Sequence, residues 1–246
     1  MEKITVKESG ERLDNYLSKY LEITRSQIKK NIDNIYVNDK NEKSGYILKE
    51  DDIITYEFKE DEEIKPENIK LDIIYEDDDI IVINKQNGLV VHPGAGKSSG
   101  TLVNALMYLS KNLSDINGEY RPGIVHRIDA YTTGLLVIAK NNEAHNILAE
   151  EIKSKQAKRK YLAIVWGNIT NSTGTIDSPI GRDPNNRLKM KVTDVNSKHA
   201  VTHFKVLKRF KRATLLEVEL ETGRTHQIRC HMEYIGHPIV NDPVYG

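Results

Sequence analysis

The chain has 246 residues, 38% of them hydrophobic, and its 36 basic side chains balance 36 acidic ones to a formal charge of zero. That length suits one large domain with a small one attached, and no apolar run approaches the roughly 18 residues a membrane helix needs. A single cysteine, Cys230, excludes an internal disulfide, and Met1-Glu2-Lys3-Ile4 lacks the apolar stretch of a secretory signal, so a cytoplasmic protein is expected.

Residues 1–60 read as a small module. Leu13, Tyr16, Leu17, Tyr20 and Leu21 follow the rhythm of an amphipathic helix. Thr24 and Gln27 form a capping box that opens a second helix, in which Arg25, Lys29 and Lys30 are basic. Short strands are predicted at 35–38 and 53–58. The charged stretch that follows, with Pro66 in it, has the composition of a linker, assigned to 61–70. From Leu71 to Gly246 strand-like runs occur at 80–84, 135–139, 161–166, 201–207 and 214–220. Helical rhythm appears at 102–109, 144–152 and 226–234, the last closed by Gly236 and Pro238. This patterning predicts an α+β fold with mainly antiparallel strands.

The zero net charge hides a separation. Residues 41–80 hold 15 acids and 5 bases, whereas residues 151–230 hold 17 bases and 7 acids. Such asymmetry suits a polyanion-facing surface in the later region, although ordinary solvated faces give the same counts. Lys153, Lys155, Lys158, Arg159 and Lys160 form a dense basic strip suited to phosphate contact.

The most informative stretch runs from Gly123 to Lys140. It sets Asp129 beside Arg127 and His126, then turns at Thr132-Thr133-Gly134 into an apolar strand. A carboxylate held between buried strands is either paired or reactive. On pattern alone, a structural ion pair with Arg127 is the simpler reading. Other motifs carry less. Gly96-Lys97-Ser98 ends like a phosphate-binding loop, but Val91 stands where its first glycine belongs. His126-Arg127-Ile128-Asp129 has one residue more than a kinase catalytic loop, and no Gly-rich nucleotide loop accompanies it. His226 and Cys230 share zinc-compatible spacing without convincing further ligands, so no metal is expected.

The stretch resembles the H-R-L-D-x-x-T-S-G-L-L signature of the RluA-type RNA pseudouridine synthases. Three more blocks resemble that family in the same order: His92-Pro93-Gly94-Ala95-Gly96 with Gly100–Leu106, then Lys160–Gly167, then Gly223–Arg229 through His237-Pro238-Ile239. Ile128 and Thr133 depart from the signature without removing a chemical group. Arg12-Leu13-Asp14, Thr24-Arg25-Ser26, Val37-Asn38 and Leu48–Ile53 resemble the S-four-type RNA-binding domain (the αL motif). Asp33-Asn34 and Glu50-Asp51 stand at its usual glycine positions, and Asn and Asp tolerate positive φ there.

The resemblance implies a large mixed, mainly antiparallel sheet with flanking helices, a central catalytic cleft, and isomerisation of uridine to pseudouridine without cofactor or metal. It implies further family elements beyond Gly246. Asp129 maps to the group acting at C1′ of the ribose. Arg224 maps to an arginine opposite it, which would keep an enclosed carboxylate ionised. Tyr161 maps to the active-site tyrosine, able to stack on uracil and relay a proton. Arg127 maps to the residue occupying the gap left by the flipped uridine, with His126 beside it. Lys158, Arg159, Lys160, Arg25, Lys29 and Lys30 complete the expected RNA contacts. The substrate implied is large-subunit ribosomal RNA, bound by a monomer; the alternatives are a tRNA-directed synthase and a non-catalytic RNA-binding assembly factor.

Overall fold

A computed structural model describes residues 1–58, 64–94, 99–110, 112–118 and 121–246. The Asp61–Glu63 part of the expected linker, and the Ala95-Gly96 and Gly96-Lys97-Ser98 motifs, lie outside the described residues. The chain divides into two compact units, Met1–Glu63 and Ile64–Gly246.

The first unit contains strand β1 (Glu2–Thr5), helices α1 (Leu13–Tyr20) and α2 (Arg25–Lys30), and strands β2 (Ile35–Val37), β3 (Lys40–Asn41) and β4 (Ile53–Tyr56). The strands form one antiparallel sheet in the order β1-β4-β2-β3. Leu13, Leu17 and Ile28 from the helices bury against Ile35, Val37, Leu48 and Ile54. The Thr24–Gln27 capping box forms as the sequence predicts. One turn differs. Asp33 and Asn34 lie in a short 3-10 helix with ordinary φ, while the left-handed position in this module that the sequence anticipated falls at Asp51, φ 66°. The 3-10 geometry needs no positive φ, so no glycine is required there.

The second unit contains strands β5 (Asp72–Glu76) and β6 (Ile80–Lys85), helix α3 (Leu102–Leu109), strand β7 (Gly134–Ala139), helix α4 (Asn142–Lys153), strands β8 (Arg159–Trp166), β9 (Thr173–Asp177), β10 (Ile180–Arg182), β11 (Met190–Val192), β12 (Val201–Arg209) and β13 (Ala213–Leu220), and helix α5 (Gln227–Tyr234). Instead of one large sheet, these strands form three: β5-β6-β7, β8-β13-β12-β9 and β10-β11, every named pair antiparallel. The two larger sheets meet through side chains, not through a backbone ladder. Ile81, Ile83, Leu102, Leu106, Leu136 and Ile138 fill one core, and Val165, Leu216, Val218 and Met232 fill the other. Tyr161 packs against both.

The linker expectation fails for residues 64–70. Ile64 is buried in the first of those cores, Asn104 donates to the Lys65 carbonyl at 2.9 Å, and the Glu67 carboxylate accepts from Gly100 N–H at 2.9 Å. Charged composition concealed the apolar anchor.

Candidate active site

Asp129 lies on the loop between Gly123 and β7. Gly123, with φ 68°, lets that loop approach the end of β7 so closely that a Cβ there would sit 2.5 Å from the Ala139 carbonyl oxygen. Ala139 N–H donates to Gly123 O at 2.9 Å, and Ile124 bridges to Ile138. Ile128 then turns into the core and brings Asp129 beside it to the seam lined by Tyr161.

The backbone next to Asp129 is pinned from β6. Lys85 is fully buried, and its Nζ donates to the carbonyls of Ala130 at 2.8 Å and of Leu89 and Gln86 at 2.9 Å. These three bonds saturate the ammonium. Burial lowers the Lys85 pKa, and the nearby Asp129 charge opposes that shift.

The cation on Asp129 is Arg229, not Arg224. Arg229 Nη1 donates to Asp129 Oδ2 at 3.1 Å, with the two side chains 15% and 20% exposed. The remaining edge of the guanidinium meets Asp242, Nε to Oδ2 at 2.6 Å and Nη2 to Oδ1 at 2.9 Å. Burial works against the Arg229 charge, but its hydrogen bonds to Asp242 and Asp129 outweigh that and raise its pKa. Arg224 instead donates from Nε to the His199 carbonyl at 2.8 Å.

The reason lies in how α5 begins. The buried Gln227 amide accepts from Arg224 N–H at 2.9 Å and from Thr222 Oγ1 at 2.8 Å, and donates to Val201 O at 2.9 Å. Those bonds fix Arg224 in the turn before the helix, and His226 takes a left-handed φ of 55°. Arg229 is thereby the arginine on the helix itself. Both arginines stand in the same sequence block, and only the helix start decides between them.

Tyr161 on β8 is half-buried. Burial raises its pKa, Arg159 opposes the shift and Asp129 adds to it, so the phenol is protonated at neutral pH. His126 Nε2 accepts from Val137 N–H at 3.2 Å, and burial and then Arg159 lower its pKa to about 4. It is therefore a neutral pin between the loop and β7. Arg127 is exposed, and its Nη1 lies 3.4 Å from His92 Nε2. Burial, Arg127 and Arg121 bring His92 to about 4, so its neutral ring accepts that contact. Arg127 makes no ion pair with Asp129 among the described residues.

The remaining basic residues divide. Lys158 and Lys160 lie 3.6 and 4.0 Å from Glu219, and Arg159 Nη2 donates to Glu221 O at 3.4 Å. Arg25 donates to Asp14 at 2.8 Å, in a unit of its own. Lys29 and Lys30 are exposed on α2. His226 Nδ1 meets the Tyr245 hydroxyl at 3.0 Å, and Cys230 is buried with its thiol pushed up to about 12 by burial first of all. Sequence reasoning missed Lys85, Arg229, Asp242 and Tyr245. Arg229 was legible as the second arginine of its block, and the others stand in runs that read as strand end and chain end.

Comparisons with known proteins identify the family. Residues 79–234 match the family model described as RNA pseudouridylate synthase. The uncharacterized RNA pseudouridine synthase YlyB of Bacillus subtilis is 48% identical over 244 residues, covering 97% of this chain and 80% of that protein. Ribosomal large subunit pseudouridine synthase D of Escherichia coli K12 is 44% identical over 243 residues, covering 96% of this chain and 73% of its own length. The structure of human RNA Pseudouridylate Synthase Domain Containing 1 superposes with a TM-score of 0.59 at 28% identity, over 72% of this chain and 70% of that one. No helix among the described residues is long and apolar enough to cross a membrane. The chain belongs to the RNA pseudouridylate synthase family and is an RluA-type isomerase that acts on RNA.

Proposed function

We propose that this enzyme isomerises uridine in large-subunit ribosomal RNA, with Asp129 acting at C1′ of a flipped-out nucleotide. The observation that carries the reading is the Asp129–Arg229 ion pair. It engages Oδ2 alone, and among the described residues no hydrogen bond reaches Oδ1. That oxygen is available to attack C1′, or to take a proton on a glycal route. The C1′–N1 bond breaks, uracil turns within the pocket, and C5 bonds to C1′. The C5 proton leaves, N1 gains one, and nothing is oxidised.

Arg229 offsets the charge beside the reacting sugar. Tyr161 offers an aromatic face to uracil and a protonated hydroxyl in the same seam, suited to passing the C5 proton. Arg127, exposed on the rim of the same loop, is free to enter the base stack and offset part of the few kcal/mol that flipping costs. The ribosomal substrate is supported by the synthase D relatives, whose names specify the large ribosomal subunit. The helix-paired first unit, with Lys29 and Lys30 exposed on α2, fits an S-four-type RNA-binding role that reads folded RNA. The reading has a single chain working in the cytoplasm without metal or cofactor.

The test maps pseudouridine in a large-subunit rRNA transcript and in bulk tRNA, for wild type and Asp129→Asn. Product in rRNA from wild type alone is the expected result. Product in tRNA alone would overturn the substrate, and an active Asp129→Asn would overturn the residue.

A further inference from the structure

Arg229 does not hold its own guanidinium in place. Its bond to Asp129, through Nη1 alone at 3.1 Å, leaves the planar group free to swing about that contact. The second carboxylate removes that freedom. Asp242, 4% exposed, grips the opposite edge through Nε and Nη2 in a two-pronged fork. The same Oδ1 accepts the backbone N–H groups of Val244 at 2.9 Å and Tyr245 at 3.1 Å. Asp242 thus builds a turn and orients an arginine with one carboxylate.

The turn delivers a flat surface as well. The Tyr245 ring lies with its centroid 4.9 Å from Arg229 Cζ, and Tyr245 is itself buried. Its hydroxyl accepts from Met190 N–H at 2.7 Å and meets His226 Nδ1 at 3.0 Å. Burial pushes that hydroxyl up to about 12 and lowers the His226 pKa, so a protonated phenol donates to a neutral imidazole. Carboxylate edge and aromatic face together fix the guanidinium plane.

We infer that Asp242 is a positioning residue for the Asp129–Arg229 pair, with the Tyr245 ring as its support. Neither touches the reacting atoms. The inference rests on the reading of Asp129 given above. By taking two of the three bonds from Arg229, Asp242 leaves Asp129 held at one oxygen and open at the other.

Asp242→Asn separates positioning from folding. The amide oxygen can still accept from Val244 and Tyr245, while its NH2 faces the Arg229 Nε donor. On rRNA transcript, kcat falls by about 30- to 100-fold, the scale on which misplacement of a reacting group acts, with KM and RNA Kd unchanged within about two-fold. The melting temperature stays within a few degrees of wild type. In an Arg229→Lys background the same substitution costs less than about three-fold, because the group it positions is already gone. If Asp242→Asn fails to fold, Asp242→Ser, whose hydroxyl also accepts the turn's N–H groups, takes its place in the same cycle.

A kcat within three-fold of wild type would overturn the inference. So would a loss that tracks melting and RNA binding, or one that is undiminished in the Arg229→Lys background. Asp129→Asn in the same assay keeps the two readings apart. Its survival as an active enzyme sinks the Asp129 assignment, whereas a dead Asp129→Asn beside a fully active Asp242→Asn sinks the positioning role alone.

Discussion

Each unit of this protein holds an aspartate against arginine, and the two pairs do opposite things. Asp14 in the first unit is 0% exposed and takes both its oxygens to guanidinium groups, Arg12 Nε and Nη2 at 3.0 Å and Arg25 Nη2 at 2.8 Å. Asp129 in the second is 20% exposed, and Arg229 engages one oxygen. The hydrogen bond from Arg12, against some opposition from burial, leads the set of contacts that hold Asp14 down to about 2. Saturation makes an aspartate structural, and a spare oxygen at a seam leaves it able to react.

The sharpest way to break this contrast is to remove each carboxylate. Asp129→Asn is expected to lower pseudouridine formation by at least about 10³-fold, while RNA affinity stays within a few-fold because phosphate contacts carry most of it. A filter-binding assay beside the mapping assay checks both halves. Next in size is the partner. Arg229→Lys keeps the charge but loses the fork, and should cost about 10² in kcat. Arg224→Lys, which surrenders a bond to a carbonyl, should cost less than about 10-fold. Equal losses from the two would restore the sequence-based assignment of Arg224.

Asp14→Asn tests the other side. It should cost about 2 kcal/mol, below the 3–5 kcal/mol of a fully buried pair because both arginines are half exposed, with no change in kcat. The sign with pH follows from a folded pKa held below its unfolded value. The pair's contribution is complete above about pH 4 and disappears as pH falls through about 2. Denaturant melts of wild type and variant should therefore converge across that window. Smallest is Arg25→Gln, expected to cost about 1 kcal/mol while leaving RNA affinity nearly unchanged, since Arg12 still holds Asp14. A large loss of affinity in a gel-shift titration would return Arg25 to the RNA-binding surface.

Much of this was legible in the residues. Helix α3 is found at Leu102–Leu109, as read, because Thr101 and Asn104 cap it and its apolar run is unbroken. Strands β6, β7, β8, β12 and β13 declare themselves through β-branched runs. Strand β5 does not, because all five of its residues are exposed and leave no alternation to read. The β10 and β11 strands, three residues each, are too short to carry a period. At the site, motif resemblance singled out Asp129, on the loop before β7, and Tyr161, on a strand the sequence marks clearly. It misassigned the arginine because a helix start, held by Gln227 through contacts 25 and 26 residues away, is tertiary information. Asp242 escaped for the same reason: its partner lies 13 residues earlier, on another element.

Lys85 carries a consequence for chemical labelling. Its amine has no solvent exposure and no unspent hydrogen, since three carbonyls accept them all. An acylating reagent applied to the native enzyme at mildly alkaline pH should therefore modify the exposed lysines and spare this one. Its first acylation would mark the moment the Asp129 loop detaches from β6, which makes one amine a chemical gauge of active-site integrity, readable by peptide mass spectrometry without any RNA.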